Sequence, residues 1–113
     1  MHEYSIVQAL LDKVDAEALA HGAVAVTRVR LAIGRLAGVD SELLRSAFEL
    51  VRCGTRCAAA ELDVRDVAAH WVCRSCGIEI RAGGVLRCQA CGGPVRLEAG
   101  DEIVLESLEL EVT

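Results

Sequence analysis

Two copies of C-x-x-C-G, Cys73-Arg74-Ser75-Cys76-Gly77 and Cys88-Gln89-Ala90-Cys91-Gly92, stand 11 residues apart in this 113-residue chain. The segment around them, from about Cys73 to Leu97, is rich in glycine, holds the only proline and has few large apolar side chains. Such a segment cannot bury enough area to fold unaided. Each cysteine pair spans one tight turn that aims two sulfurs at one point. The following glycine admits the conformation in which backbone N–H groups face those sulfurs. Two such knuckles make a four-thiolate cage. Zn²⁺ suits a closed sulfur tetrahedron with no position left for water, so the metal is expected to be structural and not catalytic. Iron, as in a rubredoxin-like electron carrier, is the rival metal, and colour separates the two. Four thiolates and one Zn²⁺ would lower the formal net charge of −5 by two, which makes charge-assisted help from Arg74 and Arg87 an expectation.

The rest of the composition narrows the class. Hydrophobic residues make up 53% of the chain, but seventeen are alanine and the aromatics are Tyr4, Phe48 and Trp71 alone. The core is therefore aliphatic and small, and a base-stacking surface for nucleic acid is not expected. A net charge of −5 has the wrong sign for gripping phosphates. No stretch approaches about 18 continuous apolar residues, and the start Met1-His2-Glu3-Tyr4 lacks the flanks of a secretory signal. The expectation is a cytoplasmic protein that binds neither membrane nor nucleic acid. In that reducing compartment paired cysteines point to metal and not to disulfides.

Periodicity supplies the remaining elements. Tyr4, Val7, Leu11, Val14 and Ala18 recur at helical spacing, with His21-Gly22 as a stop. Thr27, Val29, Leu31 and Ile33 alternate with Arg28 and Arg30, which predicts a half-buried strand ended by Gly34. Asp40 can cap a second amphipathic helix through Leu43, Leu44, Ala47, Phe48 and Val51, with Val39 packing back on its first turn and an end near Gly54. Glu61 to Trp71 reads as one strand with a bulge near Asp66, and Glu102 to Val112 as a last strand with a phase change near Ser107. The predicted fold class is α+β: two helices packed on a small sheet of about three strands, with an inserted four-cysteine zinc-ribbon module. Residues 1–70 form an α/β domain completed by the C-terminal strand 101–113, and residues 71–100 form the zinc-binding module.

Other candidate side chains have plainer readings. Cys53 is expected to pack apolarly against the sheet and Cys57 to sit in the following turn, a second metal site or redox pair being the alternative. His70 belongs on a strand surface, because four thiolates already fill a tetrahedron. His21 reads as a helix C-terminal residue favoured by the dipole.

His2 is informative by position. A free amine on Met1, the imidazole of His2 and the amide nitrogen between them can close fused five- and six-membered chelate rings. The Glu3 amide can supply a fourth nitrogen in the same plane. Such a square-planar set favours Ni²⁺ or Cu²⁺ over Zn²⁺, which has no preference for a plane. The alternative is an exposed histidine at a helix start.

The opening Met1-His2-Glu3-Tyr4-Ser5-Ile6-Val7, Ile33-Gly34 followed by Val39-Asp40, Ala47-Phe48-Glu49, the paired knuckles and the closing Leu105-Glu106-Ser107-Leu108-Glu109 together resemble the HypA/HybF family of hydrogenase nickel-incorporation proteins. The resemblance implies a metallochaperone, not an enzyme, that carries Ni(II) to the large-subunit precursor of a nickel–iron hydrogenase alongside the GTPase of the same maturation pathway. It implies nickel binding at His2 with Met1 and Glu3 as neighbours, and structural Zn(II) at Cys73, Cys76, Cys88 and Cys91. Asp40 matches a position considered to add a carboxylate to the nickel shell, and its helix-capping role competes with that one. The chain itself carries no phosphate-cradling G-x-x-x-x-G-K motif, so GTP hydrolysis belongs to the partner. A zinc-ribbon interaction adaptor without transferable metal is the alternative. The acidic last strand could also pair edge to edge in a homodimer.

Overall fold

The computed structural model describes residues 2–81 and 83–113. Met1, Ala82 and the side chain of His2 lie outside the described residues, and with them the reading of the Met1 amine and the His2 imidazole as ligands. The order is α1 (His2–Ala20), β1 (Ala23–Gly34), α2 (Ser41–Val51), β2 (Glu61–Val67), β3 (His70–Cys73), β4 (Val95–Ala99) and β5 (Ile103–Val112). β2, β1 and β5 form one sheet in that order, and β3 pairs with β4 in another. β1 and β2 are parallel, so α2 is their crossover, whereas β5 runs antiparallel to β1 and occupies an edge.

The helices supply one face of the core. Val7, Leu11, Val14 and Ala18 of α1 and Leu44, Ala47 and Phe48 of α2 are buried with Val26, Val29, Leu31 and Ile33 of β1. Leu62, Val64, Leu105, Leu108 and Leu110 close the cluster from the flanking strands. Tyr4, which heads the helical stripe in sequence, stays outside it at 44% exposure. Charged side chains also join the three strands: Arg28 donates to Glu61 at 2.6 Å and Asp63 at 2.8 Å, Arg30 to Glu109 at 2.5 Å and Arg65 to Glu106 at 2.7 Å.

Two strand readings need correction. Thr27 is exposed and Val26 buried, because the β1–β5 ladder steps from Val26/Leu110 to Arg28/Glu109 and leaves Thr27 as a bulge. A one-residue insertion flips the phase before it. The stretch from Glu61 to Trp71 is not one bulged strand: β2 ends at Val67, the chain crosses at Ala68-Ala69, and β3 belongs to the second sheet. The phase change expected near Ser107 is a bulge at Glu106, where the partners step from Arg30/Ser107 to Leu31/Leu105.

The two crossings between the sheets are gathered by the loop after β1. Gly34 N–H donates to Glu102 O at 2.8 Å, Arg35 N–H to Val67 O at 2.8 Å and Leu36 N–H to Gly100 O at 2.7 Å. A Cβ on Gly34 would lie 2.1 Å from the Gly100 carbonyl, so only glycine permits this approach.

Candidate metal centre

β3 ends at Cys73, opposite Val95 of β4, so the ladder brings the first knuckle against the chain leaving the second. The two knuckles repeat the same backbone contacts. Gly77 N–H donates to Cys73 O at 3.0 Å and Gly92 N–H to Cys88 O at 2.9 Å. Gly77 and Gly92 have φ of 75° and 69°, the left-handed region that favours glycine in a tight turn. Arg74 N–H ties the first turn to Pro94 O at 2.9 Å.

The four sulfurs converge. All lie within 4.8 Å of one another, with Cys73 Sγ to Cys91 Sγ at 3.5 Å and Cys76 Sγ to Cys88 Sγ at 3.6 Å. A tetrahedron with metal–sulfur bonds of about 2.3 Å has edges of about 3.8 Å, so the cage has the size of a four-thiolate metal site. Cys73 and Cys88 are buried, while Cys76 and Cys91 are exposed. Gly93 walls the cage: a Cβ there would stand 3.1 Å from Cys91 Sγ.

The electrostatics are asymmetric. Cys73 Sγ accepts from the N–H groups of Cys76 and Ser75, each at 3.4 Å, and Cys88 Sγ accepts from Cys91 N–H at 3.5 Å. The Cys76 N–H is the chief cause that draws the Cys73 thiol down to about 6, and the Cys91 N–H lowers that of Cys88. For Cys91 the Gly93 N–H favours the thiolate, but the Cys73 and Cys88 sulfurs outweigh it and push the thiol up to about 12. Cys76 is raised in the same way against the pull of Ile78 N–H. The backbone N–H groups thus favour the thiolate at Cys73 and Cys88, and a divalent cation held by all four sulfurs would displace the thiol protons that remain. The expected help from Arg74 and Arg87 is not present: neither side chain reaches a sulfur, and backbone N–H groups do that work.

At the other end of the chain the structure brings together two of the predicted nickel residues. Glu3, in the first turn of α1, accepts the Asp40 backbone N–H at 3.1 Å. Asp40 caps α2, its Oδ1 accepting from Glu42 N–H at 2.9 Å and Leu43 N–H at 3.2 Å. Sequence reasoning anticipated the cap but missed the tie to Glu3, for which the only signal was an acidic residue in a first helical turn.

Of the cysteines beyond the cage, Cys57 sits in the turn after α2 as expected but is buried there, and Cys53, expected to pack against the sheet, does not. Cys57 is 3% exposed within the core cluster and Cys53 is exposed, its Sγ against Glu49 O at 3.7 Å. Burial pushes the Cys57 thiol up, Asp15 adding to the effect and Arg52 opposing it. His70 stands on β3 between Glu79 at 3.5 Å and Glu98 at 3.3 Å, away from the sulfurs, and His21 Nδ1 lies 2.9 Å from Glu17 O at the end of α1. Among the described residues the four cysteines are the one cluster able to hold a metal ion, and no helix is long and apolar enough to cross a membrane.

The arrangement has close counterparts. The family model described as hydrogenase/urease nickel incorporation, metallochaperone, HypA matches residues 1–110. Hydrogenase maturation factor HypA of Chlorobium limicola is 40% identical over 113 residues, covering 98% of this chain and 97% of that protein. The factor of the same name from Wolinella succinogenes is 41% identical over 114 residues, covering 98% and 96%. Among solved structures, the Ni metallochaperone HypA from Helicobacter pylori superimposes with a TM-score of 0.75 at 30% identity, covering 98% of each chain. A second HypA solution structure does so at 0.83 and 31%, covering 100% of this chain and 98% of that one. With the fold, the four-cysteine cage and the match from end to end in agreement, this chain belongs to the HypA family of hydrogenase maturation nickel metallochaperones, which are not enzymes.

Proposed function

We propose that this chain holds Ni(II) reversibly at its N-terminus and delivers it to the large-subunit precursor of a nickel–iron hydrogenase, with the pathway's GTPase as partner. The observation that carries the reading is the family match over residues 1–110, which takes in the Met1-His2-Glu3 start. The proposed ligands are the Met1 amine, the His2 imidazole, the amide nitrogen between them and the Glu3 amide nitrogen. Glu3 ties the start of α1 to the loop before α2 through its bond to Asp40 N–H. Nickel is cargo, so exposed ligands and exchange by substitution serve delivery better than a buried cage.

Residues 1–70 with 101–113 are read as the nickel-binding domain and residues 71–100 as the zinc-binding module. Zn(II) bound by Cys73, Cys76, Cys88 and Cys91 would cross-link the module and leave no position for chemistry. Four reduced thiols suit a cytoplasmic location. The edge position of β5 would allow pairing of two copies.

Nickel titration of the untagged chain, a chain extended by one glycine and His2→Ala tests the site. One saturable site is expected, abolished by His2→Ala and weakened by the extension, with zinc content constant throughout. Binding must release protons from the amine and imidazole, so affinity falls as pH drops through about 8 to about 6.5. Nickel binding indifferent to His2→Ala would instead favour a zinc-ribbon adaptor. Transfer to a large-subunit precursor, with and without the GTPase, tests delivery.

A further inference from the structure

The arginines divide by region. Before β3, Arg28, Arg30, Arg52, Arg56 and Arg65 form ion pairs and Arg45 donates to Leu62 O at 2.8 Å, which leaves Arg35 as that region's one arginine without a side-chain partner among the described residues. Arg74, Arg81, Arg87 and Arg96, all between Cys73 and Ala99, form neither an ion pair nor a side-chain hydrogen bond among the described residues. The two carboxylates of that region, Glu79 and Glu98, both face His70. Before the thiolates are counted, residues 70–99 carry a formal charge of +2 in a chain of −5, leaving −7 elsewhere.

Two of the unpaired guanidinium groups border an apolar depression. Ile78, Ile80 and Val85, with Arg81 and Arg87, line a groove of about 540 Å³ on the segment between the knuckles. Ile78 is 48% and Val85 70% exposed. Glu79, the one carboxylate on its border, is turned to His70 at 3.5 Å.

We propose that this groove docks an extended acidic segment of a partner protein, whose apolar side chains lie on Ile78 and Val85 while alternate carboxylates pair with Arg81 and Arg87. An extended strand presents side chains of two kinds on alternate sides, which matches an apolar floor with charged borders. Guanidinium groups free of internal partners are available for bidentate carboxylate recognition, for which their planar fork is suited. Nucleic acid fits less well: no aromatic side chain lines the groove for stacking, and the rest of the molecule repels phosphate. The inference rests on reading the module as metal-stapled, since the groove is built on the loop that the staple closes.

The test is fluorescence titration of a labelled octapeptide of alternating leucine and glutamate with the zinc-loaded full chain. Its companions are the leucine–lysine peptide and a ten-residue thymidine oligonucleotide. Saturable binding of the acidic peptide is expected, weakened about tenfold by Arg87→Glu and severalfold by Val85→Ser. Arg35→Glu, which alters net charge equally on the α/β body, should change it by less than about twofold. Equal loss with Arg35→Glu, tighter binding of the lysine peptide or oligonucleotide, or no saturable binding would overturn the proposal. So would self-association of the chain abolished by Arg87→Glu, which assigns the groove to a second copy. Zinc is quantified in every sample: its absence from the native chain strikes the metal reading, whereas failure to bind peptide with zinc in place strikes the groove alone.

Discussion

The α/β body and the knuckle segment are held by different forces. The body encloses a continuous aliphatic cluster in which Val7, Val14, Val29 and Leu44 are wholly inaccessible to solvent. Among the described residues between His70 and Ala99 the buried ones are Val72, Cys73 and Cys88, the two cysteines belonging to the cage. Burying a large aliphatic side chain contributes about 1.5–3 kcal/mol, so one valine cannot offset the backbone entropy of some thirty residues. Where apolar side chains run out, the cage of four cysteines is placed to supply the missing cohesion through the proposed metal. Charge follows a similar division: five arginines of the body form ion pairs and Arg45 bonds Leu62 O, Arg35 being the body's exception among the described residues, whereas the four between Cys73 and Ala99 form neither.

The comparison breaks most visibly if the metal is taken away. Structural zinc in finger peptides contributes about 10–16 kcal/mol of folding free energy. Chelation, or Cys76→Ser, is therefore expected to abolish hydrogen-exchange protection across β3 and β4, including the Cys73 N–H bound to Ile78 O at 2.9 Å. Protection of α1 and β1 should persist. A module that keeps its protected amides without metal would show that packing alone suffices there.

The converse experiment attacks the body. Phe48, 1% exposed, anchors α2 in the cluster. Phe48→Ala should cost about 3–5 kcal/mol in chemical denaturation and leave one equivalent of zinc bound. Zinc lost in step with the body's unfolding would mean that the two regions fold as one cooperative unit.

The joint between them is expected to respond less. A methyl on Gly34 meets the Gly100 carbonyl at 2.1 Å, and Gly100, at φ 106°, is itself hemmed in by Ala69. Backbone must shift, at a cost of about 1–3 kcal/mol by analogy with overpacked cores. Gly34→Ala should raise exchange at Arg35 and Leu36 N–H, whose acceptors are Val67 and Gly100, before it affects either region's interior. Unaltered exchange at those two amides would show that the crossings do not depend on this approach.

How much of this was legible in sequence depends on the range of the interaction. The buried faces of α1 and α2, the Asp40 cap and the knuckles are local patterns of three to seven residues, and periodicity or spacing exposes them. The bulge at Glu106 left a trace because Leu105 and Leu108 fall out of phase. Thr27 left none, since Val26 and Thr27 are both good strand formers and either could face inward. The crossing at Ala68-Ala69 was hidden because no glycine or proline interrupts the alternation between Val67 and Trp71. Which of Cys53 and Cys57 is buried was not legible because α2 stops at Val51, beyond which helical spacing no longer decides which side chain turns inward. The bond from Glu3 to Asp40 joins residues 37 apart, and no local pattern encodes it.

Asp40 allows the smallest and most discriminating test, because two roles meet on one carboxylate. As an N-cap it accepts from Glu42 and Leu43 N–H, and removing such a cap costs about 1 kcal/mol. Asparagine caps nearly as well as aspartate but carries no charge to donate to a metal. The bond to Glu3 uses the Asp40 backbone N–H and survives either substitution. Asp40→Ala should therefore lower stability by about 1 kcal/mol and Asp40→Asn by a few tenths at most, as measured by urea denaturation. Nickel titration of the same two variants then separates the roles. If the carboxylate serves only the helix, Asp40→Asn binds nickel as the native chain does. If it also enters the nickel shell, Asp40→Asn loses affinity while keeping stability, a combination that capping alone cannot produce.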